Sequence, residues 1–479
     1  MYCALAVMEL LTHRLLSRTQ FANTIRTSVS KHTESLLVAS VGLFFVIGVW
    51  EHLPYSGGHI YSDILSVYQN RFCTSGACGM GLPYVNYFVE YPVLTGFFMY
   101  AMGMLGHFFQ MPGTSFLSEY YTYSSIFLLI PTVLLVENLS KIMQILGIVR
   151  RNKRLFLFLV ATPSFVFMLL LNWYIIGVFF AVFGLRKFLE GVRSGKSKGV
   201  QSGILMGISA AANLITAVPA LGILVFGTTS LKERAKFLAG LFGVLLAVYF
   251  PVIVLNSFPH TYVNASGVLV NYPFMFPNLN VVTDFLRYEQ NWYAEGSWML
   301  GFLNNTSSLR HYIFTGLFAT MAVIISLKGR MWLKERSASD LDRANVILMT
   351  SCLYMFAFLF SSYVCTPQMN LLLLPFFVLL PGMTKRYSEF LAFEVVNALV
   401  IVWGFSSPLL FLGINIPTPV QFGPIWISPI QFLAVLRSFW IGKFLIVDGL
   451  YGWPTFLPSK IPSIIQRLKV VIPLRIRSR

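Results

Sequence analysis

An all-α polytopic membrane protein is the fold class this sequence predicts, and three observations predict it. Hydrophobic residues make up 56% of the 479 and charged residues only 11%, at a mean hydropathy of +0.70, whereas a soluble domain carries roughly a quarter charged residues. So few charges cannot cover a water-facing surface, and the apolar residues must face lipid. Apolar runs near the length of a spanning helix, about 20 residues, recur along the whole chain. The basic residues gather between those runs, which is the pattern of loops held on the cytoplasmic side.

Lys and Arg number 35 against 18 Asp and Glu, a net charge of +17. A basic balance can mark nucleic-acid binding, but here the cations flank apolar runs. They read as topology signals and contacts to the anionic head groups of membrane lipids, with no nucleic acid as partner. Aromatic residues at 16% fit interface belts. The first 34 residues carry Arg14, Arg18, Arg26 and Lys31 without a long apolar core, so they read as a basic tail and not as a cleaved leader.

The candidate spans are 35–50, 122–147, 155–171, 173–189, 200–228, 236–256, 309–327, 344–361, 367–382, 389–412 and 428–447. The basic clusters are Arg150–Arg154, Arg186–Lys198, Lys232–Lys236, Lys328–Arg343, Lys385–Arg386 and Lys460–Arg479. They fall on one side only if the apolar stretch 92–109 dips into the outer leaflet without crossing. The stretch 200–228 lies between two basic loops, so it must return to its own side, with Asn213 and Pro219 as break points. The result is a single domain over 1–479, with basic cytoplasmic tails 1–34 and 449–479. It has about ten to twelve spans and both termini inside. The main external segments are 51–121 and 257–308.

Those two segments hold the candidate chemistry. The first contains Glu51, Asp63 and Glu90, with Asp63 just beyond the first span. The second packs Asp284, Arg287, Glu289, Trp292, Glu295, Ser297 and Trp298 into 15 positions. Aromatic faces stack on pyranose rings, carboxylates bind hydroxyls and an Arg fork clamps phosphate. Taken singly, Trp292 or Trp298 is an ordinary belt aromatic, and Asp63 a solvated acid or helix cap. Two such loops on one face of a membrane favour a sugar or phosphate site. Asn172–Trp173 sits at a tight external turn, and Thr366–Pro367–Gln368 opens a later span; both also read as plain punctuation. Glu137 four residues before Lys141 reads as a charge-shielding helical pair. Cys73 and Cys78 lie close together in an external segment, where a disulfide can form.

The order of these elements resembles the GT-C superfamily of membrane glycosyltransferases. An acid follows the first span, then come PY and EYPVLTG, an NW turn, an EGSW loop, and TPQ before LLLLP. The sequence looks most like the polyprenol-phosphate-mannose-dependent mannosyltransferases of glycosyltransferase family 87, and more distantly like the first GPI mannosyltransferase, over about Trp50 to Pro375. The resemblance implies that Asp63 is the catalytic acid residue. It places Glu90, Tyr91, Pro92 and Leu94 in the EYPxL element, Asn172 and Trp173 in the NWD turn, and Trp292, Gly296, Ser297 and Trp298 in the Trp-rich loop. The family's NWD acid is Tyr174 here. In its KxYSPQ element Pro367 and Gln368 match, while the Lys falls at Tyr363 and the Tyr at Cys365. The absent Lys leaves Arg287 or Arg310 to meet the phosphate, and the absent Asp leaves room for a different acceptor or for loss of activity.

What the resemblance implies is transfer of a mannose-type sugar, with inversion, from a lipid-linked polyprenyl-phosphate donor to a glycan, glycolipid or protein acceptor on the extracytoplasmic face. Asp63 takes the base role, with Glu90 and Glu289 as alternatives, and a divalent cation stays open as an aid to the leaving phosphate. Rivals from other classes are a transporter or lipid flippase, and a non-catalytic subunit with the same fold. Transporters tend to show repeats and mid-membrane charges; this chain shows no repeat, and Glu394 is one of few acids deep in a span.

Overall fold

The computed structural model describes residues 19–53, 62–73, 81–84, 89, 91–148, 151–227, 230–254, 310–335, 339–361, 367–405, 420–422, 425–427 and 429–451. Helices dominate them. In chain order they are α1 (Thr19–His52), α2 (Asp63–Phe72), α3 (Val93–Phe108), α4 (Phe116–Ile145), α5 (Arg151–Leu155, continued by a π-helical turn at Phe156–Val160) and α6 (Pro163–Met168). Then follow α7 (Tyr174–Ser194), α8 (Gly199–Ala212), α9 (Ala220–Phe226), α10 (Leu231–Val254), α11 (Arg310–Glu335) and α12 (Asp340–Ser361). After a 3₁₀ turn at Pro367–Leu372 come α13 (Leu374–Leu379), α14 (Tyr387–Phe405) and α15 (Pro429–Lys443). One short antiparallel hairpin pairs β1 (Val420–Phe422) with β2 (Ile425–Ile427).

Five of these helices contain segments long and apolar enough to cross a membrane: Ser35–His52, Phe116–Ile145, Leu231–Val252, Thr315–Lys334 and Asp340–Ser361. The Leu231–Val252 and Thr315–Lys334 segments bury only 17% of their most apolar stretch, while Asp340–Ser361 buries 83%. α12 is therefore the central post, and α10 and α11 present long apolar faces outward, with Phe242, Leu246, Phe250 and Val323 all exposed. The span expected over 155–171 is broken into α5, a π-helical turn and α6, with Thr162 capping α6 through Phe165 N. The span expected over 367–382 is likewise short helical pieces, with Pro at the start of each of them.

The stretch 200–228 breaks at Asn213 and Pro219. Asn213 leaves the helix in an extended conformation and its side chain accepts from Ile215 N, closing a 3₁₀ turn before α9. α8 meets α10 through glycines four residues apart, Gly199, Gly203 and Gly207. A Cβ on Gly203 would lie 2.0 Å from the Phe237 carbonyl, and one on Gly207 2.7 Å from that of Leu241. Small residues at this spacing let two backbones touch, the close packing typical of helices in lipid. On its other side α8 is tied to α7 by Ser202 Oγ to Gly184 O and Ser209 Oγ to Gly177 O, both at 2.8 Å.

Two basic clusters hold more structure than topology signals require. Arg154 is buried, and its Nε and Nη2 donate to Val378 O at 2.9 Å and Leu380 O at 2.6 Å. It thereby satisfies carbonyls at the C-terminal end of α13, where a cation is favoured. Arg186, Lys187 and Lys198 all converge on Glu190. Glu137 and Lys141 form the expected pair on α4.

Candidate functional site

The site is built where α2 starts. Asp63 is the first residue of α2, where a carboxylate is favoured by the helix dipole. Its own N–H donates to Leu171 O at 2.8 Å, and the Ser62 hydroxyl donates to Leu170 O at 3.0 Å. These bonds staple the head of α2 to the turn that follows α6. That turn carries Asn172, so backbone pairing alone brings Asp63 and Asn172 face to face across 109 residues of sequence.

The side chains complete the contact. Asn172 Nδ2 donates to Asp63 Oδ2 at 2.7 Å and reaches the Tyr91 hydroxyl oxygen at 3.2 Å. Asn172 Oδ1 accepts from Trp173 N, which fixes the amide with its NH₂ toward the acid. Gln368 Nε2, from the 3₁₀ turn 367–372, donates to the same Asp63 oxygen at 3.4 Å. Tyr91 packs edge-on against the Trp173 indole, ring centres 4.9 Å apart. Four separate stretches of chain thus meet at one partly exposed carboxylate.

Tyr91 is itself held by the residues around it. Pro92 starts α3 with a fixed φ of −56°. The Tyr84 hydroxyl donates to Tyr91 O at 2.8 Å and to Pro92 O at 2.9 Å. It reaches them across Gly96, where a Cβ would come within 2.0 Å of that hydroxyl. Tyr84 adopts a φ of +67°, uncommon for a bulky residue and a sign that its surroundings over-determine its place. Thr95 Oγ1 then donates to Ala212 O at 2.6 Å, a carbonyl freed by the break of α8. The Tyr, Pro, Thr and Gly of the PY and YPVLTG elements therefore each make a contact that positions Tyr91.

Asn172 is 3% exposed and Trp173 2%. Both residues brace the site: Asn172 donates to Asp63 and Trp173 packs against Tyr91. Arg310 opens α11, its side chain outside the described residues. Glu90, Arg287, Glu289, Trp292, Glu295, Ser297, Trp298 and Cys78 also lie outside them. Cys73, the C-cap of α2, is disulfide-bonded. Sequence reasoning missed Tyr84 and Thr95 as site supports. The PY dipeptide before EYPVLTG was a signal for the first, and the small residue before a glycine for the second.

Among the described residues no three His, Cys, Asp or Glu side chains gather as a metal site. Among the described residues the groups at Asp63 are its own carboxylate, the Tyr91 phenol and the Asn172 and Gln368 amides. An amide NH₂ repels a cation, so these described groups by themselves do not make the several-oxygen shell of a divalent ion. No known protein-family profile matches the chain, and no characterised protein matches it either.

Proposed function

We propose that this chain is a polytopic membrane glycosyltransferase of the GT-C kind, and that Asp63 is its general base. The observation that carries the reading is the pair of amides, Asn172 and Gln368, donating to one oxygen of Asp63 beside the Tyr91 hydroxyl. A carboxylate used as a base must be held in one orientation, and donors that bind its charged form do that. The outward apolar faces of α10 and α11 support a lipid surround, since a water-soluble monomer rarely leaves patches of that extent exposed.

In the proposed reaction an acceptor hydroxyl attacks C1 of a mannose-type sugar carried on a polyprenyl phosphate. The new bond is acceptor O–C1 and the broken bond is C1–O of the phosphate ester. The acceptor proton passes to Asp63, and the electron pair leaves with the lipid phosphate, whose charge is assigned to Arg287 or Arg310. Attack opposite the leaving group inverts C1. The acidic site faces the extracytoplasmic side, with both termini cytoplasmic.

The test is transfer of label from radiolabelled polyprenyl-phosphate mannose to membrane acceptors. Asp63→Asn keeps size but loses basicity, so transfer should drop about 10²-fold or more at equal expression, on the usual scale of general-base loss. Wild-type transfer by that variant would sink the base assignment. A transport reading has one observation of its own, the buried Glu394 and Arg437 in the bundle. A wild type that transfers no sugar, together with a failure to move lipid in cells lacking it, would favour that reading.

A further inference from the structure

Glu394, on α14, is fully buried, as are Asn370 and Asn397, and Arg437 on α15 is only 1% exposed. A carboxyl group carried into an apolar interior is costly unless hydrogen bonds answer it, and an apolar residue of similar volume often serves stability as well. The residues that answer Glu394 are specific. Ser164 N donates to Oε2 at 3.1 Å and Asn370 Nδ2 donates to Oε1 at 3.2 Å. Asn397 Nδ2 donates to Ser164 Oγ at 3.1 Å, and Arg437 Nη1 donates to Asn397 Oδ1 at 3.0 Å. The Arg437 guanidinium and the Glu394 carboxyl group are thus linked through Asn397 and Ser164, and Ser164 lies at the start of α6.

The two groups clasped by Glu394 belong to the two segments that serve Asp63. Asn370 shares the 3₁₀ turn 367–372 with Gln368. Ser164 opens α6, whose far end runs into Leu170, Leu171 and Asn172. The separation is eight residues along one short helix and the turn that follows it. Gln368 and Asn172 donate to the same oxygen, so their spacing sets the orientation of the Asp63 carboxylate.

We propose that Glu394 is a positioning residue: it clamps the 3₁₀ turn to the head of α6 and so holds the two amides that orient Asp63. The inference rests on the reading of Asp63 as the base. A merely structural Glu394 predicts a cost independent of Asp63, whereas a positioning residue loses its effect when Asp63 is already disabled.

Glu394→Gln, Glu394→Leu and Asn370→Ala are compared in full-length protein in membranes, each in wild-type and Asp63→Asn backgrounds. The kcat and KM for transfer from polyprenyl-phosphate mannose are measured at matched expression. In the wild-type background Glu394→Leu and Asn370→Ala should lower kcat about tenfold with KM within about twofold, on the scale of a lost transition-state contact. Glu394→Gln, which keeps an acceptor, should lose less than Glu394→Leu. In the Asp63→Asn background Asn370→Ala should lower kcat no further. Wild-type kcat for Asn370→Ala, or an equal loss in both backgrounds, overturns the proposal while the base reading stands. Wild-type transfer by Asp63→Asn alone overturns the base reading, and the clamp falls with it. If Glu394→Leu fails to insert, Asn370→Ala decides, since it removes one side-chain bond and no buried charge.

Discussion

Replacing Asn172 with Asp changes one atom type at the closest contact to Asp63 and should be far worse than its size suggests. The wild-type Nδ2 donates to Oδ2 at 2.7 Å. A hydrogen bond to a charged group is worth about 1.5–3 kcal/mol, or roughly 10- to 100-fold in rate where it acts in the transition state. Asn172→Ala removes that much. Asn172→Asp removes it and adds a second carboxylate at the same distance, with a repulsion of about 1.5 kcal/mol under water-like screening and about 6 kcal/mol at an effective dielectric near 20. Asp63 is partly exposed, which argues for the lower part of that range. The expected order of transfer rates at neutral pH is wild type, then Asn172→Ala, then Asn172→Asp, each step about tenfold or more. The assay is single-turnover transfer from radiolabelled polyprenyl-phosphate mannose in membranes, normalised to protein. An Asn172→Asp variant faster than Asn172→Ala would refute the donor role.

Tyr84→Phe removes the hydroxyl that binds Tyr91 O and Pro92 O; it should cost about 1 kcal/mol of stability by thermal unfolding in detergent and lower transfer. Gly203→Val drives a side chain into the Phe237 backbone and should lower the unfolding temperature markedly, at a cost of about 1–3 kcal/mol. The same change at Gly243, which meets nothing within 4 Å, should be nearly silent. A cysteine at exposed Met111 should react with an impermeant maleimide from outside, and labelling only after permeabilisation would overturn the expected sidedness. Met111 is preferred to the nearby Gly113, whose φ of +85° would strain any side chain.

Much of the helical order was legible because long, nearly unbroken apolar runs are read as helices by their length alone. The break of 200–228 was legible too, since Asn and Pro are residues that end helices for known reasons. The splitting of 155–171 was not. Its residues are apolar but for Thr162 and Ser164, and the cause is Pro163, which takes Thr162 as its cap. Hydropathy cannot see that, although an internal Pro with a preceding Thr could have been read as a new N-terminus. Arg154 was read with its neighbours as one charge cluster. Only the fold shows that it turns inward to the carbonyls of α13, residues more than 220 positions away. At the site, Asp63, Tyr91, Asn172, Trp173 and Gln368 were named from an ordering of short motifs, but nothing local says that Asn172 and Gln368 share one oxygen of Asp63.

The broken helices and the site have a common physical origin. A continuous helix pairs its own carbonyls and leaves each only a second lone pair for neighbours, whereas each break frees a few outright. The break after Ala212 releases the carbonyl that Thr95 binds, and the turn after α6 releases Leu170 O and Leu171 O for Ser62 and Asp63. Leu170, Leu171 and Ala212 are buried, so their carbonyls must be answered by protein, which pulls the broken ends together. The contacts that carry Asp63, Tyr91 and Asn172 are therefore the same contacts that repair the breaks. An uninterrupted apolar helix over 155–171 would have been the simpler way to fill that space, and it would have spent the Ser164 N–H on its own ladder and left none for Glu394.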